Sequence, residues 1–224
     1  MNRIIAINKP KGPTSNDVIQ VLKGKVGSNK IGHAGTLDPL ASGVLVVGIG
    51  REATKVLGKI TKGDKEYIAK IKLGETSTTD DAEGEKTTIY KNSVGPEKDE
   101  IKKIVKEFIG DIKQVPPIYS AVKVKGKEAY KYARKGEEIE LQPRKAEIDS
   151  IEILNYQWPY LDLKVATGPG VYIRSLARDI GKKLGTGAYL AELERTRVGE
   201  YTKDKSISIE KASKLLEDLQ KEYL

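Results

Sequence analysis

Between His33 and Leu45 the chain gathers small residues and turn-formers around a single carboxylate, Asp38, and then runs into the apolar stretch Val44-Leu45-Val46-Val47. Glycine and proline let this backbone bend tightly and approach a ligand, and the β-branched run behind it reads as a buried strand that would hold the turn rigid. Such a turn can present one acid to a substrate. Taken alone, a Leu-Asp-Pro step more often serves only to stabilise an Asp-Pro turn through its own backbone.

The rest of the chain reads as one compact mixed domain. Arg3 to Asn8 is β-rich and Lys9-Pro10-Lys11-Gly12-Pro13 breaks it. Val18, Val21, Leu22 and Val26 then recur at helical spacing behind a Thr14 or Ser15 cap. Residues 27–42 read as a long loop, 43–49 as a strand, 52–60 as a short helix and 65–73 as a strand with Tyr67, Ala69, Ile71 and Leu73 on one face. The polar stretch 75–85 reads as a loop and 96–109 as a helix with Ile101, Ile104, Val105 and Phe108 on one side. A short helix is predicted over 127–135, strands around 144–154 and 160–167, and a helix over 172–184 between Gly168-Pro169-Gly170 and Gly185. A brief strand over 197–201 and a terminal amphipathic helix from Ile209 complete the reading. No internal repeat interrupts it.

Composition narrows the chemistry. The 224 residues carry 40 Lys and Arg against 32 Asp and Glu, a formal net charge of +8, which favours a polyanionic partner. With no cysteine and a single histidine, His33, a disulfide, a thiolate site or a histidine-rich metal site is excluded or strongly disfavoured. Catalysis must then come from carboxylate, hydroxyl, amine or guanidinium groups, and no metal or cofactor is expected. No apolar run is long enough to cross a bilayer and no secretory leader opens the sequence, so the chain reads as soluble and cytoplasmic.

The segment from Gly32 to Leu45 resembles the central motif of the TruB family of pseudouridine synthases. Asn8-Lys9-Pro10-Lys11-Gly12, Lys65-Glu66-Tyr67, Tyr119-Ser120-Ala121-Val122-Lys123, Gly170-Val171-Tyr172-Ile173-Arg174-Ser175-Leu176, Leu184-Gly185-Thr186-Gly187-Ala188, Leu193 and Arg195-Thr196-Arg197 are similar to further segments of that family, in the same order. The resemblance covers the chain to about residue 205. It implies an α+β pseudouridine synthase fold: a mixed, largely antiparallel, bifurcated sheet flanked by helices with a central catalytic cleft. It also implies a single catalytic domain over residues 1–224, with a thumb-like segment over 114–136, a C-terminal helix over 206–224 and no RNA-binding domain of the PUA type.

The resemblance implies isomerisation of the T-loop uridine at position 55 of tRNA. The bond from uracil N1 to the ribose breaks, the base turns, and its C5 joins the same sugar carbon. Asp38 is then the catalytic carboxylate, as nucleophile or as base. Arg174 is the cation that keeps it ionised, and Tyr67 stacks on a nucleotide flipped from the loop. His33, Tyr172 and Leu193 complete the substrate pocket. Lys9, Lys123, Lys125, Lys127, Lys131, Arg134 and Lys135 are candidate phosphate contacts, with Lys127, Lys131 and Lys135 forming a stripe at fourfold spacing on the predicted helix. Glu194 and Thr78 depart from the family pattern, which commonly has arginine and aspartate there. The expected partner is the T-arm stem-loop of tRNA, bound by a monomer without an obligatory protein partner. Two rivals remain: the same chemistry on another RNA chosen by a guide RNA, and an RNA-binding protein without turnover.

Overall fold

A computed structural model describes residues 2–26 and 30–222. In chain order its elements are β1 (Arg3–Lys9), α1 (Ser15–Val26), β2 (Ile31–Ala34), β3 (Ala41–Ile49), α2 (Arg51–Thr61), β4 (Lys65–Leu73), β5 (Glu75–Ser77), β6 (Lys86–Thr88) and α3 (Lys98–Lys106). Then follow β7 (Gly110–Gln114), β8 (Lys123–Val124), β9 (Lys127–Glu128), α4 (Ala129–Ala133), β10 (Arg144–Gln157), β11 (Tyr160–Thr167), α5 (Ile173–Lys183), β12 (Ala188–Val198), β13 (Tyr201–Thr202) and α6 (Ile209–Glu222). Nine of the strands belong to one mixed sheet, which with the helices makes the fold α+β. The chain forms two compact units, residues 1–68 with 193–224, and residues 69–192.

In the first unit the apolar run of β3 is covered on both faces, as its lack of alternation requires. Leu45, Val47 and Ile49 point to one side and join Val18, Ile19 and Leu22 of α1 with Ala212 and Leu216 of α6. Val44 and Val46 point to the other and meet Leu57 of α2 and Val198 of β12. Each such fully buried side chain contributes roughly 1.5–3 kcal/mol. β1 and β2 pair antiparallel with β3, and β12 pairs with it in parallel, Leu193 opposite Ala41 and Arg195 opposite Gly43.

Thr14 is the cap of α1: the Asp17 N–H donates to its Oγ1 (3.1 Å) while the Thr14 N–H donates to Asp17 Oδ2 (2.8 Å). This reciprocal pair satisfies two donors at the helix start and leaves the Ser15 hydroxyl available for a distant partner.

In the second unit β10 pairs antiparallel with β11 on one side and with β7 on the other, and α3 packs on β10 through a face that buries Ile101 and Val105. β5 and β6 form a separate antiparallel pair, as do β8 and β9.

Several expectations from the sequence require correction. Residues 31–34, expected within the 27–42 loop, form β2, because Gly32 leaves room for Leu57 and lets the strand lie on β3; residues 27–29 of that loop lie outside the described residues. The expected loop over 75–85 contains β5, whose partner β6 follows at Lys86; three-residue strands are too short to show a period. The helix expected over 127–135 is only α4. Lys125 and Gly126 both adopt positive φ (49° and 83°), the requirement of a two-residue hairpin turn, so Lys127 belongs to β9. The stripe of Lys127, Lys131 and Lys135 therefore does not lie on one helix. α3 is shorter than the expected 96–109 helix. The strand expected over 197–201 is instead the end of the much longer β12, a turn at 199–200 and the first residue of β13; the charged residues of β12 hid its extent.

Candidate active site

Asp38 stands in the turn between β2 and β3, and four anchors fix the backbone on either side of it. The Ser15 Oγ donates to the Leu37 carbonyl (2.9 Å) and accepts from the Leu37 N–H (2.8 Å), so one buried hydroxyl satisfies both polar groups of the preceding residue. Leu37 sends its side chain into the core between β3, α1 and α6. The Ala41 N–H donates to the Asp38 carbonyl (3.0 Å) and closes a turn with Pro39 second, where its fixed φ fits. The Gly12 N–H holds the Pro39 carbonyl (2.8 Å). Asp38 itself is half-buried.

Around this turn the first unit buries cations. The Arg195 side chain, 1% exposed, donates from Nε to the Val44 carbonyl (2.8 Å) and from Nη2 to the Gly35 carbonyl (3.0 Å), and it hydrogen-bonds the Tyr67 hydroxyl. Burial lowers the pKa of Arg195, while Tyr67 and Asp38 act against that shift. Lys9, fully buried, donates from Nζ to the carbonyls of Pro10 (2.9 Å) and Pro13 (2.7 Å). Burial lowers its pKa to about 8, against the opposing pull of Asp38. Lys65 donates to Thr61 (2.8 Å) and Gly63 (2.6 Å), and burial lowers it to about 8 as well. Burying a charge costs several kcal/mol, and hydrogen bonds to it return about 1.5–3 each, so these cations add little net stability. What Lys9 and Arg195 add is positive potential at the Asp38 carboxylate.

Tyr67 is buried, and its hydroxyl is raised above the ordinary tyrosine value by that burial, which keeps it a neutral phenol. His33 lies on β2 opposite Val47; burial and then the Arg195 charge hold it below its usual pKa, so it is a neutral imidazole at pH 7. Its Nδ1 has no hydrogen-bond partner among the described residues. Leu193 packs against the core of α1 and α6. The first unit thus brings together Lys9, His33, Asp38 and Tyr67 around Arg195, with Leu193 on the same strand as Arg195. Lys9, a candidate phosphate contact in the sequence, is buried inside this group.

Arg174 and Tyr172 belong to the second unit. Tyr172 caps α5, and the buried Gln114 side chain grips its backbone from both sides, accepting from the Tyr172 N–H (2.8 Å) and donating to its carbonyl (3.0 Å). Arg174, in the first turn of α5 and 5% exposed, donates to the carbonyls of Tyr119 (2.9 Å) and Thr79 (3.3 Å) and faces Asp81 at 3.5 Å. Asp81 also accepts from the Thr79 hydroxyl and the Glu83 N–H. One turn further on, Arg178 pairs with Asp80 (2.7 Å) and Asp179 (2.9 Å). Burial raises Asp80 despite the Arg178 charge.

The segment with the remaining basic candidates has its own small core of Val122, Ala129 and Leu141, against which Tyr172 packs. Lys123, Lys125, Lys127, Lys131, Arg134 and Lys135 are exposed. Lys131 pairs with Glu128 (2.8 Å) and Lys135 approaches Glu137 (3.8 Å), while the Arg134 guanidinium lies 5.3 Å from the Tyr130 ring centroid.

Reading the sequence missed Arg195, Lys65, Ser15 and Gln114 as contributors. Arg195 was visible only as part of an Arg-Thr-Arg string, and a charged residue in a strand reads as solvent-facing. Lys65 did carry a signal, since it shares the parity of the buried Tyr67, Ala69 and Ile71.

The chain matches the family described as TruB family pseudouridylate synthase (N terminal domain) over residues 23–173, and tRNA pseudouridylate synthase B C-terminal domain over residues 174–224. It is 46% identical to tRNA pseudouridine synthase B of Parabacteroides distasonis over 96% of this chain and 93% of that protein. The corresponding protein of Clostridium tetani is 44% identical over 94% of this chain and 72% of that one. Among solved structures, a chain of a Cbf5-Nop10-Gar1 complex superposes with a TM-score of 0.70 at 33% identity over 91% of this chain. A chain of an H/ACA RNP bound to a substrate RNA containing 2'-deoxyuridine gives 0.71 at 29% identity over 99%. This chain spans about half of those two, 51% and 55%. On the family match and on near-full-length identity to the Parabacteroides protein, the chain belongs to the TruB family of pseudouridylate synthases.

Proposed function

We propose that this chain isomerises uridine to pseudouridine in tRNA, at position 55 of the T loop, with Asp38 as the catalytic carboxylate. The observation that carries the reading is the Asp38 turn: its backbone is fixed by Ser15, Gly12 and Arg195, and its acid stands in the field of Lys9 and Arg195. A carboxylate that must act as an anion in a site closed to water needs such cations, and Arg174 is assigned as the one that pairs with it in the working enzyme. Isomerisation releases no atoms from the nucleoside. The glycosidic bond from N1 to the sugar breaks, C5 bonds to the same carbon, and the C5 proton is lost as N1 gains one.

The target atoms are inaccessible in a stacked loop, so the nucleotide is flipped out at a cost of a few kcal/mol. Tyr67 takes over the lost stacking, Tyr172 and Leu193 close the pocket, and the neutral His33 ring helps occupy the place the base leaves. Lys123, Lys125, Lys127, Lys131, Arg134 and Lys135 hold phosphates and position the arm without reading its sequence. The chain acts in the cytoplasm as a monomer and a single catalytic domain, without metal, cofactor or protein partner.

Incubating the purified chain alone with unmodified tRNA and mapping pseudouridine by position tests this reading. Modification confined to the T-loop uridine is the expected result. A product elsewhere, or turnover only when a guide RNA and partner proteins are supplied, overturns it.

A further inference from the structure

The Arg195 clamp does more than fill a core position. Its guanidinium reaches three carbonyls that flank Asp38 in the chain: Gly35 (3.0 Å) and, more weakly, Thr36 (3.5 Å) before it, and Val44 (2.8 Å) after it. The two glycines beside the turn both lie against Arg195, and at Gly43 the fit is exclusive. At Gly35, with φ +81°, a Cβ would lie 3.4 Å from Arg195 Nη1. At Gly43, with φ +100°, a Cβ would come within 2.2 Å of the Arg195 carbonyl oxygen, so the backbones of β3 and β12 meet there as closely as they can. The same guanidinium hydrogen-bonds Tyr67, so one side chain ties the turn to the tyrosine assigned to the base.

We infer that Arg195 is a positioning residue for Asp38: its planar fork fixes the carbonyls on both sides of the turn and thereby sets where the carboxylate stands. A lysine, with donors spread about a single point, cannot serve carbonyls on two arms of a turn and a phenol together. This inference rests on the reading of Asp38 as the catalytic group.

The test uses the full chain with Arg195→Lys and Arg195→Gln, with Asp38→Asn alongside. Single-turnover rate at saturating unmodified tRNA, the dissociation constant for that tRNA, and a thermal melt are measured for each. Both Arg195 variants are expected to bind tRNA within threefold of the parent and to react at least about 30-fold slower, with lysine no better than glutamine. A folded variant reacting within threefold of the parent overturns the inference. So does a lysine variant at full rate, which would make charge and not placement the requirement, and so does a rate loss that saturating tRNA abolishes. Should neither variant fold, hydrogen exchange in the parent decides. An Arg195 Nε–H as protected as the β3 amides supports the clamp, and one exchanging like a surface arginine overturns it. Turnover retained in Asp38→Asn would remove the underlying reading and this inference with it, whereas an inactive Asp38→Asn beside fully active Arg195 variants would remove the inference alone.

Discussion

In the first unit Lys9, Lys65 and Arg195 direct their donors at backbone carbonyls, whereas in the second Arg174 and Arg178 are faced by Asp80, Asp81 and Asp179. The two arrangements satisfy the same hydrogen-bonding requirement with different electrostatic results. A carbonyl dipole accepts a proton donor but leaves the unit charge in place, so the first unit keeps a positive potential around the Asp38 turn. A carboxylate offsets the charge, so in the second unit Arg178 is largely neutralised by Asp80 and Asp179, while Arg174 faces Asp81 at 3.5 Å. The lysines register the difference: hydrogen-bonded to carbonyls, both are lowered by burial to about 8, against the weaker pull of nearby carboxylates.

The comparison breaks most visibly at Asp38. Asp38→Asn is expected to keep the melting behaviour and tRNA affinity of the parent while the single-turnover rate falls at least about 1000-fold, or roughly 4 kcal/mol of barrier. A loss below tenfold would mean that the potential of the first unit has another purpose.

In the second unit the expected loss is of stability. Arg174→Met leaves Asp81 buried beside an apolar side chain, and breaking a buried pair in this way costs about 3–5 kcal/mol. Urea unfolding measures it, and the double variant Arg174→Met with Asp81→Leu should recover most of the loss. No recovery would show that Arg174 is held by its carbonyls, like the cations of the first unit.

pH sharpens the contrast. The folded value of Lys65, about 8, lies below its ordinary 10.5, so the unfolded chain binds more protons between those values. The stabilising contribution is therefore full above pH 10.5 and is lost as pH falls through 8. Relative to Lys65→Met, the parent should gain stability from pH 7.5 to pH 10, by at most about 3 kcal/mol. A flat difference in unfolding free energy across that range would show that Lys65 is solvated as an ordinary amine.

The smallest effect belongs to the exposed cations. Replacing Lys127, Lys131 and Lys135 with alanine is expected to weaken tRNA binding about fivefold, near 1 kcal/mol, and to reduce its salt dependence, with the rate at saturating tRNA unchanged. Glu128 and Glu137 already offset two of the three charges. An unchanged salt slope would return these lysines to a solvated surface.

What could be read in the sequence follows from where side chains point. β4 was legible to the residue, because Tyr67, Ala69, Ile71 and Leu73 alternate cleanly, and β3 was legible because both its faces are apolar. The Asp38 turn was legible from its glycines and proline. The inward cations were not. Lys9, Lys65 and Arg195 face the interior only because carbonyls of the same unit meet them, and Arg195 draws its carbonyls from residues more than 150 positions away. No local period records that. The two-residue strands of the 123–128 hairpin were equally hidden, since a stripe at fourfold spacing fits a helix as well as it fits chance.

Gly35 and Arg195 are separated by 160 residues, and their hydrogen bond gives the clamp a place in time as well as in space. A contact of that span closes a long loop and belongs to the slow, non-local part of folding. As the chain emerges from synthesis, β1, α1 and β3 can collapse around Leu37 while the Gly35, Thr36 and Val44 carbonyls still lack the arginine they accept from. When β12 settles beside β3, with the Arg195 backbone against Gly43, the turn receives its last brace. The turn that carries Asp38 is therefore made without its last brace until β12 has been synthesised.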